Sequence, residues 1–242
     1  MMKVSVVVPV HNESLILEDT VSSLHGMLSA RFRDYEIVLV ENGSTDGTKS
    51  MCESFALAAG NVTALSLSAG DYGLALRHGV TESEHDKIIV FDADLYSGDF
   101  LDDVLRLLAA EADIAVIVAS KRNKGSFDSR SAYRKLGTLL LNVLMRAAFG
   151  LKVSDTHGMK FLDRGALGDE LNATREAGSL YDTALILRAE RNGKKVREVP
   201  CTVREMRPPR TKYAIRALQT LYYLGKLRVR IMGEKRSPAA DL

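Results

Sequence analysis

The sequence predicts an α/β protein: a mostly parallel, twisted sheet with helices on both faces. Three observations carry that expectation. Short apolar runs rich in Val, Ile and Leu (VSVVVPV, YEIVLV, VTALSL, KIIVF, IAVIVA) recur through the first 120 residues. Segments with apolar residues at helical spacing separate them, the pattern of βαβ units rather than of hairpins. Clusters rich in Gly, Ser, Asn and Asp follow the runs, at 11–14, 41–48, 68–73 and 92–96. In an open α/β sheet, the loops after the strands carry the ligand site.

The elements follow in order. Val4–Val10 is an apolar strand run. Leu17, Val21, Leu24 and Leu28 then recur at helical spacing, with Asn12 or Ser14 as the expected cap. Tyr35–Val40 is the second strand; the turn ENGSTDGT leads from it into a helix that runs to about Ala59. Val62–Leu67 is the third strand, Gly73–Thr81 a helix, Ile88–Asp92 the fourth strand, Phe100–Ala110 a helix and Ile114–Ala119 the fifth strand. After Ser120 the pattern changes. A basic, Ser-rich loop (KRNKGSFDSRSAYRK) precedes an apolar helix, Leu136–Phe149. Asp155–Lys160 reads as a loop into a short strand, Tyr181–Asn192 as a helix and Lys195–Arg204 as a strand. The expected division is a domain over 1–205 and a basic helical tail over 206–242.

Composition narrows the function classes. The net charge is +2, from 33 Lys and Arg against 31 Asp and Glu, so the chain is not a nucleic-acid-type polycation. The two cysteines, Cys52 and Cys201, are too far apart for a metal knuckle and fit a reducing compartment. The apolar run at the start is too short for a signal-peptide core, and no stretch approaches the ~18 apolar residues of a membrane span. The expected location is cytoplasmic, with peripheral contact at the membrane inner face.

The most informative residues are Asp92 and Asp94, in KIIVFDADLY. Alternate strand residues share a face, so this spacing puts two carboxylates on one side of a strand end. Two acids held that close repel unless a cation sits between them. A hard divalent ion, Mg²⁺ or Mn²⁺, suits them. A blander reading stands beside it: one Asp caps the following helix and the other is a solvated turn residue.

VSVVVPVHNE, IVLVENGSTDGT, GLALRHG and FDADL, in that order, resemble the inverting family 2 glycosyltransferases. The resemblance implies a GT-A nucleotide-sugar-binding fold. YRKLGTLLLN (133–142), DTHGMKF (155–161) and YDTALILRAERNGKKVREVP (181–200) resemble the polyprenyl-phosphate branch, the dolichol-phosphate-mannose-synthase-like enzymes. The likeness covers residues 3–212.

Roles carry over residue by residue. Pro9, His11, Asn12 and Glu13 close the first strand, where the family holds the nucleotide. Glu41 stands where the family usually has an Asp on the base or ribose, and Asn42 replaces a second Asp. Asp46 lies in the turn, and Gly73 and Arg77 on the helix near the nucleotide. Asp92, Ala93 and Asp94 match the metal-binding segment, with Asp92 and Asp94 as ligands; Tyr96 stands where the branch often has Gln. Arg122, Arg130, Arg134 and Lys135 fall where the family holds phosphates, and guanidinium forks suit phosphate oxygens. Asp155 matches an Asp that faces sugar and acceptor, with Gly158 and Lys160 completing its motif. Asp182 matches an Asp of the later helix, with Ala184 where a Glu is frequent. Arg207 follows the E-V-P strand. The implied catalytic set is Asp94, Arg134 and Asp155.

The implied reaction moves a sugar from a nucleoside-diphosphate sugar to a polyprenyl phosphate, with Mg²⁺ or Mn²⁺ as cofactor and no nucleic-acid partner. A phosphate acceptor arrives as an oxyanion and needs no carboxylate base. The basic, apolar helices at 136–149 and 212–232 either cover the core or dock at the membrane surface. Two alternatives stay open. One is a family 2 enzyme with a hydroxyl acceptor, using Asp155 or Asp182 as base. The other is a nucleotide-sugar-binding protein without turnover.

Overall fold

The computed structural model describes residues 2–120, 127–128, 146, 149–178, 180–203, 225–231 and 233. In chain order the elements are β1 (Val4–Val10), α1 (Leu17–Ser29), β2 (Tyr35–Asn42), α2 (Thr48–Ala58), β3 (Val62–Leu67), α3 (Tyr72–Glu82), β4 (Lys87–Val90), α4 (Gly98–Ala110) and β5 (Ile114–Ser120). Then come β6 (Phe127–Asp128), β7 (Lys160–Asp163), α5 (Gly168–Ala173), α6 (Leu180–Arg191), β8 (Lys195–Pro200) and β9 (Thr202–Val203). Residues 225–231 are helical.

Seven strands form one sheet in the order β3-β2-β1-β4-β7-β5-β8. All its pairs are parallel except those of β7, which runs antiparallel to both β4 and β5. Alternation along each strand splits the core into two layers. Val4, Val6, Val8, Val10, Ile37 and Leu39 join one layer with Leu17, Leu24 and Leu28 of α1 and Phe100 of α4. Val7, Val38, Val40, Ile88 and Val90 join the other, with Leu76 and Val80 of α3 and Leu185 of α6. A register shift between Ile114 and Val116 breaks the alternation in β5, so Ala115 and Val116 both face the second layer.

Several expectations are corrected. α1 has Ile16 at its cap and no side-chain cap; its first amides, of Ile16 and Leu17, bond the Glu13 carbonyl at 3.0 Å each. β4 ends at Val90, short of Asp92. The strand expected over Lys195–Arg204 stops at Pro200, whose ring removes a ladder donor; Thr202–Val203 pairs instead with Phe127–Asp128. The helix expected at Leu136–Phe149 lies almost wholly outside the described residues. In the helix at 225–231, Leu227 and Ile231, one turn apart, are 3% exposed and belong to the second core layer. The Arg191 guanidinium donates to the Ile231 carbonyl, and Arg230 lies 3.7 Å from Glu176. Among the described residues no helix is long and apolar enough to cross a membrane.

Candidate active site

At the carboxyl edge of the sheet, the loops after β1, β2 and β3 are laced together by their own polar side chains. Asn12 adopts φ 55°, a left-handed conformation that Asn tolerates. Its amide donates to Ser44 Oγ (3.0 Å), and its Oδ1 accepts from the Thr45 amide (2.8 Å). The Glu13 amide donates to Thr48 Oγ1 at 2.9 Å. The Asp46 carboxylate accepts from the amide and hydroxyl of Ser14 and from those of Thr48. These bonds, led by the Thr48 hydroxyl, hold the Asp46 carboxyl far below its usual range. Asp46 is thus a clasp between two loops.

Glu41 is 2% exposed, at the end of β2. Burial opposes its ionisation, but the Ser44 amide (2.5 Å), the Ser66 hydroxyl (2.8 Å) and the charge of Lys49 outweigh burial and keep its carboxyl below the usual value. His11 Nδ1 lies 2.8 Å from the Asn42 carbonyl, which can only accept; the proton is therefore on Nδ1, and Nε2 accepts from the Asn12 amide group at 3.2 Å. Asn42 Oδ1 accepts from the Asp71 amide at 2.7 Å, tying β2 to the start of α3. Gly43, at φ +68°, presses on the 69–70 backbone; a Cβ there would sit 2.8 Å from the Gly70 nitrogen. Pro9, half-buried, pairs in register with Val40 behind these loops.

The Asp-x-Asp segment is a reverse turn, not a strand end. The Leu95 amide bonds the Asp92 carbonyl at 3.0 Å, and the Asp92 amide bonds the Leu95 carbonyl at 3.3 Å. The shared-face argument from strand alternation therefore does not apply to Asp92 and Asp94, which lie at the first and third positions of this turn. Ala93 points inward, 4% exposed, and its carbonyl accepts from Thr20 Oγ1 of α1 at 2.8 Å. Asp94 is exposed and Asp92 half-buried. Tyr96 packs its ring against the first core layer. The donor set here is two carboxylates on a braced turn, hard oxygen ligands of the kind Mg²⁺ and Mn²⁺ take.

The antiparallel course of β7 brings in the second half of the site. Because β7 runs against its neighbours, its beginning, not its end, lies at the carboxyl edge: Lys160 pairs in register with Val90 of β4 and Val118 of β5. The preceding loop, 155–159, is thereby set against the Asp-x-Asp turn. Gly158 adopts φ +93°, and a Cβ on it would lie 3.4 Å from Leu95 Cδ2. Asp155, 8% exposed, accepts from the His157 amide at 3.2 Å. Thr156 Oγ1 bonds Thr183 Oγ1 of α6 at 2.8 Å.

Behind the loop, Lys160 Nζ lies 3.0 Å from Asp182 Oδ2, both side chains 1% exposed. Asp182 is thus buried and ion-paired, whereas Asp155 keeps 8% exposure. Gly73 serves packing: a Cβ on it would lie 2.8 Å from the Glu176 carbonyl and from Tyr181 Cβ, and 2.9 Å from the Gly178 carbonyl. Arg77 is half-buried on the same helix, close enough to Tyr181 for its charge to act on that phenol. Arg122, Arg130, Arg134, Lys135 and Arg207 lie outside the described residues.

Three contributors escaped the sequence reading. Thr20 was one more polar residue in an amphipathic helix. Asp71 caps α3, accepting from the Leu74 amide (3.0 Å) and the Gly178 amide (2.9 Å); an Asp just before a helical pattern was a readable cap signal. Tyr72, whose hydroxyl donates to Asp182 Oδ2 at 3.4 Å, had no local signal of its own.

Comparison with known proteins identifies the family and the architecture. Residues 5–169 match the family model described as glycosyl transferase family 2. The undecaprenyl-phosphate 4-deoxy-4-formamido-L-arabinose transferase of Proteus mirabilis is 31% identical over 160 residues, 63% of this chain and 46% of the relative. The protein of the same name from Pseudomonas fluorescens strain Pf0-1 is 27% identical over 223 residues, 91% of this chain and 63% of the relative. The chain thus spans about half to two thirds of these relatives' length. Glucosyl-3-phosphoglycerate synthase from Mycobacterium tuberculosis, solved with Mn²⁺, uridine diphosphate and phosphoglyceric acid, superposes with a TM-score of 0.68 at 19% identity, over 93% of this chain and 78% of that one. That likeness is one of architecture, and the fold is GT-A-like, as the motif order implied. With the family model covering most of the sheet and the loops of the site, the chain belongs to glycosyl transferase family 2.

Proposed function

We propose that the protein transfers a sugar, with inversion, from a nucleoside-diphosphate sugar to a polyprenyl phosphate at the cytoplasmic face of a membrane. The observation that carries this reading is the meeting of the Asp92–Leu95 turn with the 155–159 loop, at the sheet edge where the laced β1, β2 and β3 loops converge. Asp92 and Asp94 would hold Mg²⁺ or Mn²⁺. Such an ion supplies Lewis-acid stabilisation of charge on the departing diphosphate. The 11–14 and 41–46 loops hold the nucleoside, with the charged Glu41 fixed by its own hydrogen bonds as a ready acceptor for base or ribose. Arg122, Arg134 and Arg207 serve the phosphates.

The acceptor phosphate oxygen forms a bond to the anomeric carbon as the bond from that carbon to the diphosphate oxygen breaks. No proton need be removed, because the phosphate's second pKa is about 6. The burial of Asp182 against Lys160 supports this choice, since it takes away one of two candidate bases. Asp155 remains at the acceptor side, where it orients the incoming group. The names of the curated relatives support the polyprenyl-phosphate acceptor, and the ligands of the solved relative support a nucleotide and a divalent ion.

The test is an acceptor comparison with a panel of nucleoside-diphosphate sugars and Mn²⁺. Labelled sugar should pass into the organic phase with undecaprenyl phosphate and not with undecaprenol. Transfer to phosphoglyceric acid or another water-soluble hydroxyl acceptor, with none to the lipid phosphate, would establish the hydroxyl-acceptor alternative. Donor binding without turnover on any acceptor would establish the binding-protein alternative.

A further inference from the structure

Asp71 stands where three segments meet that lie far apart in the sequence. It ends the 68–71 loop after β3 and caps α3. Its amide donates to Asn42 Oδ1 at the end of β2 (2.7 Å), and its own Oδ1 accepts from the Gly178 amide, 107 positions on (2.9 Å). The same Oδ1 accepts from the Leu74 amide of its helix at 3.0 Å.

On one side of this junction lie the 11–14 and 41–46 loops. Gly43 presses on the 69–70 backbone, and a Cβ on Gly70 would lie 3.8 Å from His11 Cε1. His11 in turn donates from Nδ1 to the Asn42 carbonyl at 2.8 Å. The 68–71 loop is therefore the wall against which both loops rest. On the other side lies a braced segment. Arg188 of α6 holds the Glu176 carboxylate with two nitrogens, at 2.9 and 3.0 Å, the side chains 3% and 9% exposed. A guanidinium fork on a carboxylate fixes direction as well as distance. Gly73 seats α3 directly against the carbonyls of Glu176 and Gly178. The 174–178 segment is thus the anchor, and the Asp71 carboxylate links it to the wall.

We propose that Asp71 is a positioning residue for the nucleotide: its bond to Gly178 locks the 68–71 loop to the anchored 174–178 segment, and that loop holds Asn42 and His11 in place for the nucleoside. The inference rests on the reading of the 11–14 and 41–46 loops as the nucleoside pocket.

The test separates this role from helix capping. Ser caps a helix about as well as Asp. Its hydroxyl stands one bond closer to the backbone, so Asp71→Ser keeps the bond to Leu74 and falls short of Gly178. Asp71→Asn keeps an Oδ1 for both amides. Binding of uridine, guanosine, cytidine and adenosine diphosphates, each with Mn²⁺, to the full chain is measured by calorimetry, with a thermal melt of each protein. For the diphosphate that the wild type binds, Asp71→Ser should bind about tenfold more weakly and Asp71→Asn within about threefold of wild type. The melting temperature of Asp71→Ser should stay within about 2 °C of wild type, because the cap survives. In transfer assays the loss falls on the donor KM rather than on kcat. Wild-type affinity in Asp71→Ser, or an affinity loss matched by Asp71→Asn or by a fall of more than about 5 °C in melting temperature, would overturn the positioning role and leave the pocket standing. Wild-type binding to none of the four diphosphates would overturn the nucleoside reading and this inference with it.

Discussion

Replacing Lys160 by Met leaves Asp182 as a charged group 1% exposed with its counter-ion gone. At 3.0 Å the pair's attraction is about 5 kcal/mol for an effective dielectric of about 20. Much of that attraction offsets the cost of desolvating the two groups, so the net worth of the intact pair is small. Breaking it from one side exposes the desolvation cost, and single substitution should destabilise by about 3–5 kcal/mol. For a chain of this size, that lowers the melting temperature by about 10 °C. The double substitution Lys160→Met with Asp182→Leu removes both charges and should recover most of the loss. Urea denaturation followed by circular dichroism, at constant m value, reads all four corners of the cycle. Single substitutions that cost under about 1 kcal/mol, with a double equal to their sum, would refute the view of a coupled buried pair.

Two further outcomes follow from the same structure. Glu41 has a carboxyl depressed in the folded state, so its contribution to stability is complete above its ordinary value of 4.5 and is lost as pH falls below it. Glu41→Gln should therefore flatten the pH dependence of stability in that acid window, as measured by melts from pH 6 down to pH 3; an unchanged profile would mean Glu41 is not held charged. Ile231→Ala removes a core side chain 3% exposed and should cost about 2–4 kcal/mol in urea denaturation, whereas a change under about 0.5 kcal/mol would show that the 225–231 helix does not pack on the domain.

Much of the first half was legible because alternation and helical spacing are local signals. Val4–Val10 and Val62–Leu67 fall where the apolar runs placed them. The position and direction of β7 were not legible, because four apolar residues carry no mark of which neighbours they will pair with. That strand decides the site: its reversal is what brings Asp155 and Lys160 to the carboxyl edge. The Asp-x-Asp pair was read as a strand end, since KIIVFDAD gives no sign that the ladder stops at Val90. Asn12 and Ser14 read as helix caps, because both are good cap residues. They lace the β1 and β2 loops instead, a choice made by residues 32 and 33 positions away. Asp182 matched a family acid by its place in the motif, but its burial against Lys160 could only be seen in three dimensions.

In the proposed function, the turn carrying Asp92 and Asp94 and the 155–159 loop form one transferase site for a lipid-phosphate acceptor. Its most direct test is the rate of sugar transfer to undecaprenyl phosphate by wild type and by Asp94→Asn, whose side chain is exposed and can change without disturbing packing. The expected result is a metal-dependent wild-type rate and a fall of at least about 100-fold in the variant, at an unchanged melting temperature. A variant rate within twofold of wild type, unaffected by EDTA in either protein, would contradict it.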